Sequence, residues 1–94
     1  MPHSLSAKKR VRQNEKQRER NRVIKSRIRT ARRTFAKAVE TGDLPSAREK
    51  FRVCERLLHR AANAGPMHRN TSARIVGRLQ VRLAALERAA AAAK

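Results

Sequence analysis

The chain has 94 residues, of which 25 are Lys or Arg and seven are Asp or Glu, for a formal net charge of +18. That length predicts one small domain. The charge opposes a compact free state and points to a polyanion as partner, since each cation that neutralises a phosphate releases counterions. A membrane is set aside as partner, because no stretch approaches the roughly 18 apolar residues of a span, and Trp and Tyr, the usual interfacial anchors, are absent.

The first 34 residues carry 13 Lys or Arg and only two acids, Glu15 and Glu19. From Arg12 to Arg22 there is no apolar residue, yet nothing breaks a helix: Gly and Pro are absent and most residues are good helix formers. A helix with no apolar face cannot pack on its own protein, so it is solvated, disordered or laid against something else. The pattern changes at Val23 or Ile24. From there Ile24, Ile28, Ala31, Phe35 and Ala38 step by four and three, making one narrow apolar seam. Gly42-Asp43-Leu44-Pro45 ends this helix. Gly42 suits the residue after a helix end, Asp43 can cap the next helix, and Pro45 is tolerated in its first turn. The first helix, predicted over 6–41, is about 54 Å long, and the part ahead of its seam overhangs by about 25 Å.

The second helix is predicted over 44–64, with Ala47, Phe51, Cys54, Leu58 and Ala61 on its seam and Leu57 beside them. Gly65-Pro66 repeats the stop signal, and Asn70 or Thr71 is the expected cap of a third helix over 68–92. Its seam is Val76, Leu79, Leu83, Leu86 and Ala90. The terminal run Ala89–Ala93 favours helix but is expected to fray. Short connections make sequential helices antiparallel neighbours. The predicted fold is therefore all-α: an antiparallel three-helix bundle with a long, basic N-terminal helix projecting beyond it. Residues 1–94 are read as a single domain, with 1–22 a basic extension and 23–94 the bundle.

The charges of the extension do not form one stripe. Lys8, Lys9, Arg10, Arg12, Lys16, Arg18, Arg20 and Arg22 fall all round the helix. Arg12 with Lys16, and Lys16 with Arg20, place like charges at i,i+4, which opposes helix in isolation. The segment is expected to be loosely structured alone and ordered when phosphates surround it. Helix two carries Arg48, Arg52, Arg56 and Arg60 away from its seam, interrupted by Glu49 and Glu55, and reads as a solvated face. Helix three carries Arg74, Arg78 and Arg82 with no acid between Pro66 and Leu86, which favours phosphate contact there. Arg outnumbers Lys, and Arg pairs with phosphate in a planar, often bidentate way.

Other chemistries find no footing. No Gly-rich phosphate loop, paired carboxylates or nucleophile–base constellation is present, so no enzymatic activity and no cofactor is expected. Ser4, Ser6, Ser26 and Ser72 are read as cap or polar-face residues. Cys54 lies on a seam as a small buried hydrophobe, and a lone cysteine fits a reducing compartment. His3, His59 and His68 have no zinc spacing with it, so no metal site is expected. The two Phe lie on seams, which leaves no platform for base stacking. The N-terminus is Arg-rich and acid-poor, as transit peptides are, but its basic character continues into the later helices, so it is read as part of the mature protein.

The rival reading is a basic-helix DNA-binding protein. Arg18-Glu19-Arg20-Asn21-Arg22 through Arg33 resembles the basic region of leucine-zipper transcription factors. Ser26 and Arg27, however, stand closer to Asn21 than the matching pair of that motif, and Gly42 and Pro45 end the helix before a zipper can form.

The whole layout resembles bacterial small-subunit ribosomal protein twenty. Ser6-Ala7-Lys8-Lys9-Arg10 is similar to the opening motif of that family. Asn21-Arg22, Lys25-Ser26 and Arg29-Thr30 are similar to its first helix, and Gly42-Asp43 falls at its first turn. His68-Arg69-Asn70, Ala73-Arg74 and Arg78-Leu79 resemble its third-helix signature. The resemblance implies a structural constituent of the small ribosomal subunit, monomeric within it, cytoplasmic and beside other ribosomal components. It implies direct binding to 16S ribosomal RNA, at the 5′ domain and the long penultimate helix, early in assembly. Carried over residue by residue, it implies RNA contacts at Ser6, Lys8, Lys9, Arg10, Asn21, Arg22, Lys25, Ser26, Arg29, His68, Asn70, Arg74 and Arg78. The remaining first-helix cations Arg12, Lys16, Arg18, Arg20, Arg27, Arg32 and Arg33 join them as expected phosphate contacts. Two positions depart from the family pattern: Arg69 stands where Lys is common, and Val76-Gly77 replaces a more basic, Ser-containing pair. Gly77 within a helix costs about 1 kcal/mol relative to Ala.

Overall fold

A computed structural model of the chain describes residues 5–93; the expectations for His3 and Ser4 lie outside them. The described residues form three helices, α1 (Leu5–Thr41), α2 (Leu44–Ala64) and α3 (Arg69–Ala92). α1 is unbroken through the basic segment.

The two turns stop their helices by different means. At the first, Gly42 takes φ +74°, a region open to Gly because it has no Cβ. Its N–H donates to the Val39 carbonyl and that of Asp43 to the Ala38 carbonyl, each at 3.1 Å. This pair of bonds satisfies carbonyls that the helix end leaves free. Asp43 then caps α2 by accepting from the Ser46 N–H at 3.2 Å, with Pro45 in the first turn as expected. At the second turn Gly65, φ +102°, donates to the Ala61 carbonyl at 3.1 Å. Pro66 has no N–H to give, and Met67 donates to that same carbonyl at 3.4 Å.

The cap of α3 is His68, for which capping is the alternative to RNA contact on sequence grounds, and not Asn70 or Thr71. Its Nδ1 accepts from the Asn70 N–H at 3.1 Å, so an imidazole nitrogen takes the place of the usual side-chain oxygen.

The seams meet in one core of Ile28, Phe35, Ala38, Ala47, Cys54, Leu58, Ala61, Leu79 and Leu83, with Ile24, Phe51 and Val76 among the half-buried residues packed against it. Phe35 and Phe51 pack with ring centroids 6.2 Å apart and planes tilted by 54°, an arrangement aromatic pairs favour. Val23 is exposed, so the seam begins at Ile24. Ser72 departs from expectation. It is buried instead of lying on a polar face, because it sits four residues before Val76 and extends the α3 seam by one turn. Its hydroxyl has no hydrogen-bond partner.

α2 is the middle helix. Arg60 and Ala64 at the end of α2 lie beside Ile24 of α1 while Lys50 lies toward Thr34, and Arg48 reaches Glu87 of α3 while Asn63 lies beside Arg69 and Ser72, so both neighbouring pairs run antiparallel. α1 and α3 each pack on α2 and scarcely meet one another. The molecule is long and flattened, 70 × 21 × 13 Å.

Candidate nucleic-acid interface

The α2 chain ends opposite Ile24, where Ile24 and Arg27 line a groove with Arg60, Asn63 and Ala64. Ahead of that point α1 has no helix beside it. Every residue from Lys8 to Arg20 is exposed. Lys8, Lys9, Arg10, Arg12, Lys16, Arg18 and Arg20 therefore point outward around a free helix, with Ser6 among them. Only Arg22, paired with Glu19 at 2.6 Å across three residues, and Arg48, paired with Glu87 at 3.3 Å, form ion pairs among the described residues. Both pairs are exposed, where such bonds contribute little.

Where the free helix joins the bundle, the arrangement is more ordered. Asn14, Gln17, Arg18, Asn21, Arg22, Lys25, Ser26 and Arg29 share one polar face of α1. Asn21 is half-buried there, the others exposed. Within this face Arg18, Arg22, Lys25 and Arg29 step by four, three and four, and Arg32 continues the row. It runs beside the apolar seam, shifted by one residue, and reaches the gap between α1 and α3. There Arg29, Arg32, Arg33 and Ala36 face Leu79 and Arg82. The Arg82 guanidinium carbon lies 5.9 Å from the centre of the Phe35 ring, within cation–π range. Arg27 is turned the other way, toward α2.

The expected third-helix residues lie on α3 and at its cap. His68, Asn70, Arg74 and Arg78 are exposed, and α3 begins at the end of the bundle from which the free part of α1 emerges. Asn70 contributes its backbone N–H to the His68 cap. Sequence reasoning named Arg82 as part of a stripe but did not join it to the α1 arginines. The four-and-three spacing of 18, 22, 25, 29 and 32 carried the signal, masked by the surrounding charges.

Other site chemistries are not assembled. No group of three or more His, Cys, Asp or Glu side chains among the described residues is placed to hold a metal ion. No helix among them is long and apolar enough to cross a membrane. Cys54 is fully buried, and burial pushes its thiol above the ordinary range against the opposing pull of nearby Arg32. The zipper reading also loses its seam, since Ile28, Phe35 and Ala38 are covered within the protein.

Together the fold and surface define a small, all-helical protein with an outward-facing cationic helix suited to an extended polyanion. Comparison with known proteins narrows that class. The family model described as Ribosomal protein S20 matches residues 2–84, and the chain belongs to this family, one of structural components and not of enzymes. It is 44% identical over 79 residues to the small ribosomal subunit protein bS20 of Rhodopirellula baltica, covering 84% of this chain and 88% of that one. It is 45% identical over 73 residues to the bS20 protein of Cutibacterium acnes, covering 78% and 83%. Against that of Gluconobacter oxydans it is 42% identical over 86 residues, covering 92% and 97%.

Proposed function

We propose that this protein is a structural constituent of the cytoplasmic small ribosomal subunit that binds 16S ribosomal RNA directly and stabilises its folding during assembly. The observation that carries the reading is the free, fully exposed basic stretch of α1 in a chain whose relatives are named as small-subunit proteins. Residues 1–22 act as the RNA-binding extension and residues 23–94 as the bundle that anchors it. Cations surround the free helix, so one RNA surface cannot meet them all. The extension bridges two RNA elements, and by family resemblance these are the 5′ domain and the long penultimate helix. Ser6, Asn21, Ser26, His68 and Asn70 supply polar contacts to sugar and phosphate, while the Lys and Arg residues neutralise charge. Such contacts position RNA instead of reading its bases.

Equilibrium binding to 16S RNA across a salt series, with footprinting of the bound RNA, tests this. If 6–10 phosphates are contacted, affinity drops by about 10³–10⁵ between 50 and 200 mM salt. A salt slope near zero rules out phosphate neutralisation, and protection confined to one contiguous RNA helix rules out bridging.

A further inference from the structure

We infer that the cleft between α1 and α3 is a clamp for the phosphate backbone of one RNA strand, gripped from both sides by Arg29, Arg32 and Arg33 on α1 and Arg82 on α3. This rests on the reading of RNA as partner and adds a second, bundle-borne site to the free helix.

Three observations converge on the cleft. It is walled by four guanidinium groups and lined by no acid. None of the four takes part in an ion pair among the described residues, and all four residues are exposed. Like charges gathered from two helices repel one another, so an anion between them relieves that repulsion. Second, α1 and α3 meet sparsely, and between the arginines the gap is lined only by Ala36 and Leu79. Third, Arg82 lies over the Phe35 ring, and Phe35 is fully buried in the core. A rigid platform therefore holds that guanidinium and limits the side-chain freedom lost on binding.

The cleft is also connected. Arg29 belongs both to the polar face of α1 and to the cleft wall. The row Arg18, Arg22, Lys25, Arg29, Arg32 thus leads a strand along α1 and into the gap beside α3. Arg82 closes the track from the opposite side. Phosphodiester oxygens fit this site better than an acidic peptide does, because a linear row of forked donors matches closely spaced, repeating anions.

The test uses the full chain and a transcript of the 16S 5′ domain. Arg82→Gln and Arg32→Gln are made singly and together, with Arg52→Gln on the outer face of α2 as a charge-matched control. All three positions are exposed, and circular dichroism checks that helix content is kept. The clamp predicts that Arg82→Gln lowers the salt slope of binding by about 1, as loss of one phosphate contact does, while Arg52→Gln leaves it unchanged. It further predicts that the double variant loses less affinity than the sum of the singles, because both arginines hold the same strand. An unchanged slope for Arg82→Gln, or a loss no greater than that of Arg52→Gln, overturns the clamp while leaving RNA binding by the free helix intact. Failure of the unaltered protein to bind the transcript instead overturns the RNA reading, and the clamp with it.

Discussion

The Arg82 guanidinium sits 5.9 Å from the centre of the Phe35 ring, joining the charged surface of α3 to the most deeply packed side chain of α1. The ring also packs tilted against Phe51 of α2, so Phe35 of α1 interacts with side chains of both other helices. Phe35→Ala is expected to destabilise the protein by about 3–5 kcal/mol, the usual cost of emptying a buried aromatic site. Phe35→Leu keeps part of the apolar volume and removes the ring face, so a smaller loss than for Phe35→Ala is expected in urea denaturation. Equal losses for the two variants would show that packing volume is not what Phe35 contributes.

The free part of α1 is helical in the structure, yet Arg12, Lys16 and Arg20 stack like charges at i,i+4 and find no partner helix. Residues 12–22 are expected to exchange their amide hydrogens rapidly in free protein and slowly when RNA is bound. Strong protection without RNA would sink the idea. Deleting residues 1–22 should leave a bundle that still folds, because no core residue precedes Ile28. Stable RNA association should be lost with the deletion.

Cys54 gives a pH dependence with a definite sign. Burial raises its thiol in the folded state, so the unfolded chain ionises first as pH rises. Between the two values the folded state holds more protons, and stability falls with increasing pH. The contribution is fully present below about pH 8.5, the ordinary cysteine value, and is lost from there up to the folded value. Comparing urea midpoints of the native sequence and Cys54→Ala from neutral pH upward isolates it. The native protein should lose more stability than the variant. A thiol reagent should label Cys54 at neutral pH only after unfolding.

Two substitutions in α3 should stabilise. Ser72 buries a hydroxyl with no partner, a state that costs about 1–3 kcal/mol. Ser72→Ala removes that cost and favours helix, so a higher melting temperature is expected. A Cβ at Gly77 meets nothing within 4 Å, so Gly77→Ala should add about 0.5–1 kcal/mol. A lower melting temperature for either variant contradicts the account given for that position.

Much of the fold was legible because two signals agree. The four-and-three seams place Ile28, Phe35, Cys54, Leu58, Leu79 and Leu83 inside, and the Gly42 and Gly65 stops fix where α1 and α2 end. Ser72 was hidden because hydropathy assigns Ser to the surface, although its spacing from Val76 belongs to the seam. His68 is one of several residues ahead of α3 that can cap it, and capping preferences, which rank side-chain oxygens above imidazole, do not single it out from Asn70 and Thr71. The surface was less legible. Composition identifies a polyanion partner, but the pairing of Arg29, Arg32 and Arg33 with Arg82 depends on how far α1 and α3 stand apart. No periodicity within one helix carries that distance.

The middle position of α2 has a consequence for how the chain matures. Nearly all of the packing joins helices that are neighbours in sequence, and folds built from such local pairings form quickly. Synthesis delivers α1 first, before any partner for its seam exists. The cationic stretch is then already outside and extended, while Phe35 still waits for Phe51. α1 therefore offers its seam to α2 first, and α3 docks on α2 last, so a partner of the cationic stretch can engage it before the core is complete.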